Sequence, residues 1–471
     1  MTARGGATPE PADVLVRNAY VVTMDAQHRV YPAGAVAVTG STIAAVGPDR
    51  EVAPAFAAAR TIDAHGAVVH PGFVDNHIHL CLHNMRWASD EFGDRSVRSG
   101  QSYWDLCVDE TEYAGSVLAS LEMARNGTTC FLEAGTLMTP DVGATAVEEI
   151  GIRAVLGDPF VFDIEGTGGP VTERLPFEPQ RAFAVLGTEL KRNSDPDALV
   201  RGHVNLRGMA SATEELLLAA KGLADENGVV FNQHHGYTEV DAANDDRIRG
   251  RHPLVHFNEI GVLGANCTFA HMNVIRDDEV EPVIQSGMTV VWCPAASMLH
   301  GVGGTFRGRH AELYKMGANV ALGSDSANWS TAFDIGDQML LALLTARDKT
   351  QEVGVLTAED VLTMATINGA RAVGLDDRIG SLEVGKRADL VVRREDLPEA
   401  QPGLDPIRSM VHSSRSKSID TVMVDGKVIV ENGHSTRVDE EEVYARSREA
   451  TRRLVEKWDS PPLSPRWPHI R

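Results

Sequence analysis

The chain has 471 residues, of which 43% are hydrophobic and 23% charged, a globular composition without a dominating low-complexity stretch. Its 66 Asp and Glu against 44 Lys and Arg give a formal charge of -22, which repels phosphate backbones and anionic lipid, so nucleic-acid binding is not expected. No segment runs to about 18 apolar residues, so neither a membrane span nor a secretion signal is expected. The five cysteines, Cys81, Cys107, Cys130, Cys267 and Cys293, are scattered without a C-x-x-C pair, as reduced thiols of a cytoplasmic protein would be.

The first elements are short β-branched runs in DVLVRNAYVVTMD, GAVAVTGSTIAAVG and RTIDAHGAVVHPG, separated by Gly, Asp and Asn, which predict a small antiparallel sheet. Similar runs return in ADLVVRRED and SIDTVMVDGKVIVENGH, where Asp425-Gly426 has the chemistry of a hairpin turn. These two distant segments are expected to share one sheet domain. Between them, short apolar runs at 68–74, 128–133, 153–157, 200–206, 229–233, 267–270, 289–292 and 319–322 each precede a stretch with helical periodicity. Eight such runs predict an α/β fold with a closed (β/α)8 barrel; an open doubly wound sheet would want a Gly-rich nucleotide loop, which is missing. Ser211 with Glu214, and Thr357 with Asp360, read as capping boxes, the first helix closing on Asn227-Gly228. The tail DEEEVYARSREATRRLVEKWDS predicts a surface helix, followed by Pro-rich PPLSPRWP as a partner-contacting end.

Catalytic groups of a barrel sit where strands end, so the polar residues that close each run are the candidates. The first run closes on Asp75-Asn76-His77-Ile78-His79, the fifth on His234-His235, the sixth on His271, and the eighth leads to Asp325. A His-x-His pair arises easily in a chain with 17 His, but period-two spacing turns both rings to one side, and a further His and a carboxylate could close a cation site. Such nitrogen and oxygen ligands favour zinc, iron, manganese or cobalt. The alternative is a set of hydrogen-bonded polar residues at a barrel mouth.

HPGFVDNHIHL, AHMN, ALGSDSAN and TINGARAVGLDDRIGSLEVGKRADLVV together resemble the metal-dependent amidohydrolase superfamily, in the branch of triazine hydrolases and cytosine, guanine and S-adenosylhomocysteine deaminases. The resemblance implies a distorted (β/α)8 barrel over 69–376, a small β-sandwich from 1–68 and 377–436, and a C-terminal helix and tail over 437–471. It implies that His77, His79, His234 and Asp325 bind one divalent transition metal, zinc first and Fe2+, Mn2+ or Co2+ as alternatives. Asp325 would then be the general base and His271 would orient the activated water. Binuclear members use a Lys from strand four, and ALVRGHVNLRG has none, which leaves His203 a structural residue. The branch usually carries Glu three residues after the strand-five His, where this chain has Tyr237. Glu239 would serve only with a shifted loop or with His235 as the ligand, so the choice between His234 and His235 stays open.

His83, Asn84, Arg86, Trp87, Tyr237, Trp292, Met298, Asn328 and Trp329 are candidates for the walls and hydrogen bonds of a flat substrate pocket. The resulting expectation is a hydrolase of a non-peptide carbon–nitrogen bond in a small heterocyclic or aromatic substrate. Hydrolysis of an acyclic aryl urea, carbamate or thiocarbamate is the alternative, and a non-catalytic scaffold on the same fold the remote one. A homo-oligomer is expected from the resemblance.

Overall fold

The computed structural model describes residues 8–90, 93–94, 103–165, 175–330 and 333–457. Five strands form at the N-terminal end, β1 (Glu10–Val22), β2 (Val30–Thr39), β3 (Thr42–Pro48), β4 (Phe56–Asp63) and β5 (Val68–Pro71). They share one nine-stranded sheet with four strands from the other end of the chain. The seam is the antiparallel pairing of Val68–Pro71 with Leu390–Arg393, which sets Val391 opposite His70. The sheet is mixed rather than antiparallel as the sequence suggested, because β1 runs parallel to both β4 and β5. A parallel pair needs a crossover, and the turn of helix at Asp49–Val52 carries the chain back to supply it. Alternation along β1 covers both faces: Val14 and Val16 pack with Val36 and Leu390, while Leu15 packs with Ala35 and Val52.

Nine further strands make two parallel sheets. β6 (Phe73–Ile78), β7 (Thr128–Glu133), β8 (Arg153–Leu156) and β9 (Val200–Gly202) form the first. β10 (Val204–Gly208), β11 (Phe231–His235), β12 (Cys267–His271), β13 (Thr289–Trp292) and β14 (Asn319–Leu322) form the second. Only His203 separates β9 from β10, and Ile78 at the end of β6 makes a parallel bridge to Asp325 beyond β14. The run expected at 68–74 is two strands in different sheets, broken at Gly72. A side chain there would meet Thr129 Oγ1 at 1.9 Å, so glycine lets β6 pass close to β7.

Four strands near the C-terminal end, β15 (Leu390–Arg393), β16 (Ile419–Val424), β17 (Lys427–Glu431) and β18 (His434–Ser435), complete the large sheet. Asp425 and Gly426 join β16 to β17 with φ of 51° and 77°, the paired positive values of a type I′ turn. The helix Glu214–Asn227 is capped by Thr213, whose side chain accepts from Leu216 N–H, rather than by Ser211. Asp163 decides the difference, since its carboxylate accepts both the N–H and the hydroxyl of Thr213 at 2.7 and 2.6 Å and so holds that residue at the helix start. The Thr357–Asp360 capping box is present as read, and a further one joins Thr238 to Asp241. The C-terminal helix Glu440–Lys457 buries Val443, Ser447, Ala450 and Leu454, and Ser447 Oγ donates to Asn84 Oδ1 at 2.8 Å. It is therefore docked along one face rather than free on the surface, and PPLSPRWP lies outside the described residues. Among the described residues no helix is long and apolar enough to cross a membrane, and all five cysteines are buried and outside any disulfide.

One buried carboxyl in this scaffold gives a pH prediction. Glu112 accepts the N–H groups of Met138 and Thr139, each at 2.8 Å, and burial pushes its carboxyl up to about 7. Its folded pKa lies above the unfolded value, so the stability it contributes is full below the unfolded pKa and is lost as pH rises through 7. The loss between pH 5 and 8 is about 2 kcal/mol. Melting curves of wild type and Glu112→Gln across that range are expected to converge on the variant's side: the variant gains on wild type as pH rises, and parallel curves would contradict the assignment.

Candidate active site

Five side chains from four strand ends meet in one place. Alternation along β6 puts His77 and His79 on one side, with ring centroids 5.0 Å apart. His234 at the end of β11 lies 4.6 Å from His77 and 5.2 Å from His79, and His271 at the end of β12 lies 4.8 Å from His77. Asp325 donates its N–H to the His77 carbonyl at 2.7 Å, which brings its carboxylate Oδ1 to 3.3 Å from His79 Nε2 and 3.8 Å from His77 Nε2. All five residues are buried.

The donor set fits a cation. A tetrahedral ion with bonds of about 2.0–2.1 Å has ligand–ligand edges of about 3.4 Å, and His79 Nε2 lies 3.3 Å from both His234 Nε2 and Asp325 Oδ1. Two overlapping groups, His77–His79–His234 and His77–His271–Asp325, each gather their ligand atoms within 4.8 Å. Both ring nitrogens of His77 are buried without a hydrogen-bond partner among the described residues, an arrangement that costs free energy unless something occupies them. The outward nitrogens of two other rings are engaged: His234 Nδ1 donates to the Arg207 carbonyl at 2.9 Å and His79 Nδ1 to Thr136 Oγ1 at 3.0 Å. That fixes the tautomers so that both Nε2 lone pairs face inward.

Electrostatics agree with this arrangement. Burial, then the neighbouring imidazoles and Arg207, holds His77 and His234 well below the usual histidine range, so both are neutral donors. Burial alone would raise Asp325, but the contact with the His79 ring and the nearby His271 and His77 rings outweigh it and hold the carboxyl below its usual range. Burial likewise takes His271 down to about 4. The backbone here is strained: His271, Met272 and Asp325 take left-handed φ of 73°, 47° and 68°. Such non-glycine conformations cost about 1–3 kcal/mol each and persist where surrounding structure imposes them. His310 Nε2, donating to the His271 carbonyl at 2.7 Å, is one of the groups that does so.

The other candidates are dispersed. Tyr237 lies beside the cluster, its ring 4.5 Å from His271 and 5.8 Å from Trp329, and its buried hydroxyl has no hydrogen-bond partner among the described residues. Trp329 also lies against His300 at 3.9 Å, and Asn328 is buried next to it in the chain. Trp292 stacks on His310 at 4.7 Å and so supports the residue that holds His271. His83 turns to Glu122 Oε2 at 2.6 Å, where Arg86 also pairs, and packs on Phe333 instead of on the histidine cluster. Trp87 packs among the residues around Ile78 and Met85, and Met298 is partly exposed. His235 faces Phe257 and Phe269, each at 5.9 Å, so the geometry brings His234 and not His235 to the other imidazoles. Glu239 pairs with Arg307 at 2.9 Å with its side chain largely exposed. His203 bonds the Glu133 carbonyl at 2.8 Å, the structural place anticipated for it. His235→Gln is expected to retain the bound metal that His234→Ala loses, as elemental analysis of the two purified variants would show; loss in both would return the choice to open.

Sequence reasoning passed over Arg207, Glu133, Thr136 and His310. Arg207 NH1 lies 3.2 Å from His234 Nε2. Both Arg207 and Glu133 close strand runs, so the rule that found the histidines would have found them had it been applied to strands two and four.

A family model described as "Amidohydrolase family" matches residues 68–429. A 5-methylthioadenosine/S-adenosylhomocysteine deaminase of Symbiobacterium thermophilum is 30% identical, over 94% of this chain and 99% of its own. A 5'-deoxyadenosine deaminase of Methanothermobacter thermautotrophicus is 29% identical over 84% and 89%. The crystal structure of an adenosine deaminase from Xanthomonas campestris with bound zinc superposes with a TM-score of 0.86 at 27% identity, covering 95% of this chain and 99% of that one.

Proposed function

The chain belongs to the amidohydrolase family and is a hydrolase of carbon–nitrogen bonds other than peptide bonds; we propose that it removes an exocyclic amino group from a small heterocycle, releasing ammonia. The observation that carries this reading is the convergence of His77, His79, His234, His271 and Asp325 into one buried donor set. His77, His79, His234 and Asp325 hold one divalent transition metal, zinc before iron, manganese or cobalt. A metal held there lowers the pKa of a water from 15.7 towards about 7 and so supplies a nucleophile at neutral pH. Asp325 takes the proton of the attacking water and passes it to the leaving nitrogen. His271, its ring 4.8 Å from that of His77, orients the attacking oxygen.

Tyr237 stands where the resembling branch carries Glu. Burial and the nearby charge of Asp325 push its phenol well up, so it keeps its proton at working pH. It therefore donates a hydrogen bond and shuttles nothing, and its acceptor is a ring nitrogen or carbonyl of the substrate. Trp329 closes the pocket against it. The same reading joins β6 to β14 into a (β/α)8 barrel over 69–376, through His203 and the Ile78–Asp325 bridge. The nine-stranded sheet forms the small β-sandwich of 1–68 and 377–436, and the helix Glu440–Lys457 follows it. Five buried thiols outside any disulfide suit a cytoplasmic protein.

The departure at Tyr237 favours a second reading, hydrolysis of an acyclic aryl urea, carbamate or thiocarbamate, in which Asp325 alone recycles the proton. Zinc-loaded protein is to be incubated in parallel with 5'-methylthioadenosine, S-adenosylhomocysteine, 5'-deoxyadenosine and an aryl urea, with ammonia, amine and carbon dioxide measured. Ammonia from a nucleoside is the expected result. Amine with carbon dioxide from the urea alone would replace the first reading by the second.

A further inference from the structure

Of the three imidazoles that line the proposed metal site from β6 and β11, His79 is the one whose outward nitrogen meets a hydroxyl rather than a carbonyl or nothing. Its Nδ1 donates to Thr136 Oγ1 at 3.0 Å, and Thr136 Oγ1 donates to Glu133 Oε1 at 2.6 Å. The direction follows from the donor count: the Glu133 carboxylate only accepts, so the one hydroxyl proton goes to it and the oxygen lone pair takes the imidazole N–H. All three residues are buried, with Glu133 and Thr136 at 0% and 2% exposure.

The chain is built to hold this row of groups. Glu133 is the last residue of β7, and its two carboxylate oxygens also accept the N–H groups of Gly135 at 2.8 Å and Thr136 at 3.0 Å. The Glu133 carbonyl is fastened by His203 at 2.8 Å, and the Thr136 carbonyl accepts from Trp104 Nε1 at 3.2 Å. Neither residue can turn away without breaking several buried hydrogen bonds. His234, by contrast, leans on the backbone carbonyl of Arg207, an acceptor that carries no full charge.

We propose that Glu133 and Thr136 are positioning residues that set metal affinity through His79. They hold the ring as its Nδ1–H tautomer, aim Nε2 into the site, and place a carboxylate one hydroxyl away, which strengthens the imidazole as a donor. The proposal rests on the reading of His79 as a metal ligand.

The test is zinc affinity by competition with a chelating dye, read on full-length protein whose folding is followed by melting temperature. Thr136→Val keeps the shape and removes the hydroxyl, and is expected to weaken zinc by about 10–100-fold. Thr136→Ser restores the hydroxyl and is expected to restore affinity, which a purely structural role for the threonine methyl would not do. Glu133→Gln is expected to weaken zinc in the wild-type background but to add little in the Thr136→Val background, because the row is already broken there. If Thr136→Val does not fold, Thr136→Ala compared with Thr136→Ser carries the same contrast. Wild-type affinity in the hydroxyl-free variant, or a serine variant as weak as it, overturns the proposal. Failure of the wild type itself to bind zinc overturns instead the ligand assignment beneath it.

Discussion

Asp325→Ala is expected to abolish turnover, by at least about 10⁴-fold in kcat, and to strip most of the metal from the purified protein. Two roles are lost together. The carboxylate Oδ1 lies 3.3 Å from His79 Nε2 and is the one anionic donor in the proposed set, so without it three neutral imidazoles must bind a dication with no charge to offset it. It is also the group assigned to take the proton of the attacking water, and Tyr237, kept protonated by burial, offers no substitute. Asp325→Asn separates the roles. The amide keeps an oxygen of the same reach, so part of the metal is expected to remain, while kcat falls as far as in the alanine variant. Metal content by elemental analysis and initial rates on the same preparations are the measurements. Asparagine with near wild-type turnover would remove the carboxylate from proton transfer, and alanine with full metal would remove it from the ligand set.

That the site could be reached from sequence at all follows from a regularity of parallel strands. Their apolar interiors are hard to mistake, and the residue at which apolarity stops marks the rim where chemistry is done. His77, His79, His271 and Asp325 were legible as candidates for this reason, without knowledge of which strands neighbour which, whereas the same rule offered His234 and His235 alike. The hairpin at Asp425-Gly426 was legible because two successive positive φ values admit few residue pairs. What escaped depended on partners distant in the chain. Gly72 splits one apolar run between two sheets because Thr129, 57 positions on, passes within reach of where its side chain would be. His83 looked like a polar group at the mouth, yet Glu122, 39 residues away, claims its Nε2. The helix cap moved from Ser211 to Thr213 because Asp163 binds the latter. Apolar period does not encode any of these pairings, and a side chain's role changes when its partner is in place.

Tyr237→Phe is expected to make the protein more stable and a poorer enzyme. The hydroxyl is buried and has no hydrogen-bond partner among the described residues, although the ring is packed between His271 and Trp329. An unsatisfied buried polar group costs about 1–3 kcal/mol, and phenylalanine removes it while keeping the ring contacts, so the melting temperature of substrate-free protein should rise. The same hydroxyl is the donor assigned to a ring nitrogen or carbonyl of the substrate, and removing it leaves that acceptor desolvated and unpaired in the complex. Losing such a bond is worth about 1–3 kcal/mol, or roughly 5- to 150-fold in kcat/KM. Because the bond is made in the bound substrate as well as in the transition state, most of the loss should fall on KM. Opposite movements of melting temperature and kcat/KM are the signature, since a change that merely loosened the site would lower both. A variant with unchanged kcat/KM would show that the phenol does not touch substrate, and the unpaired hydroxyl would then need another occupant.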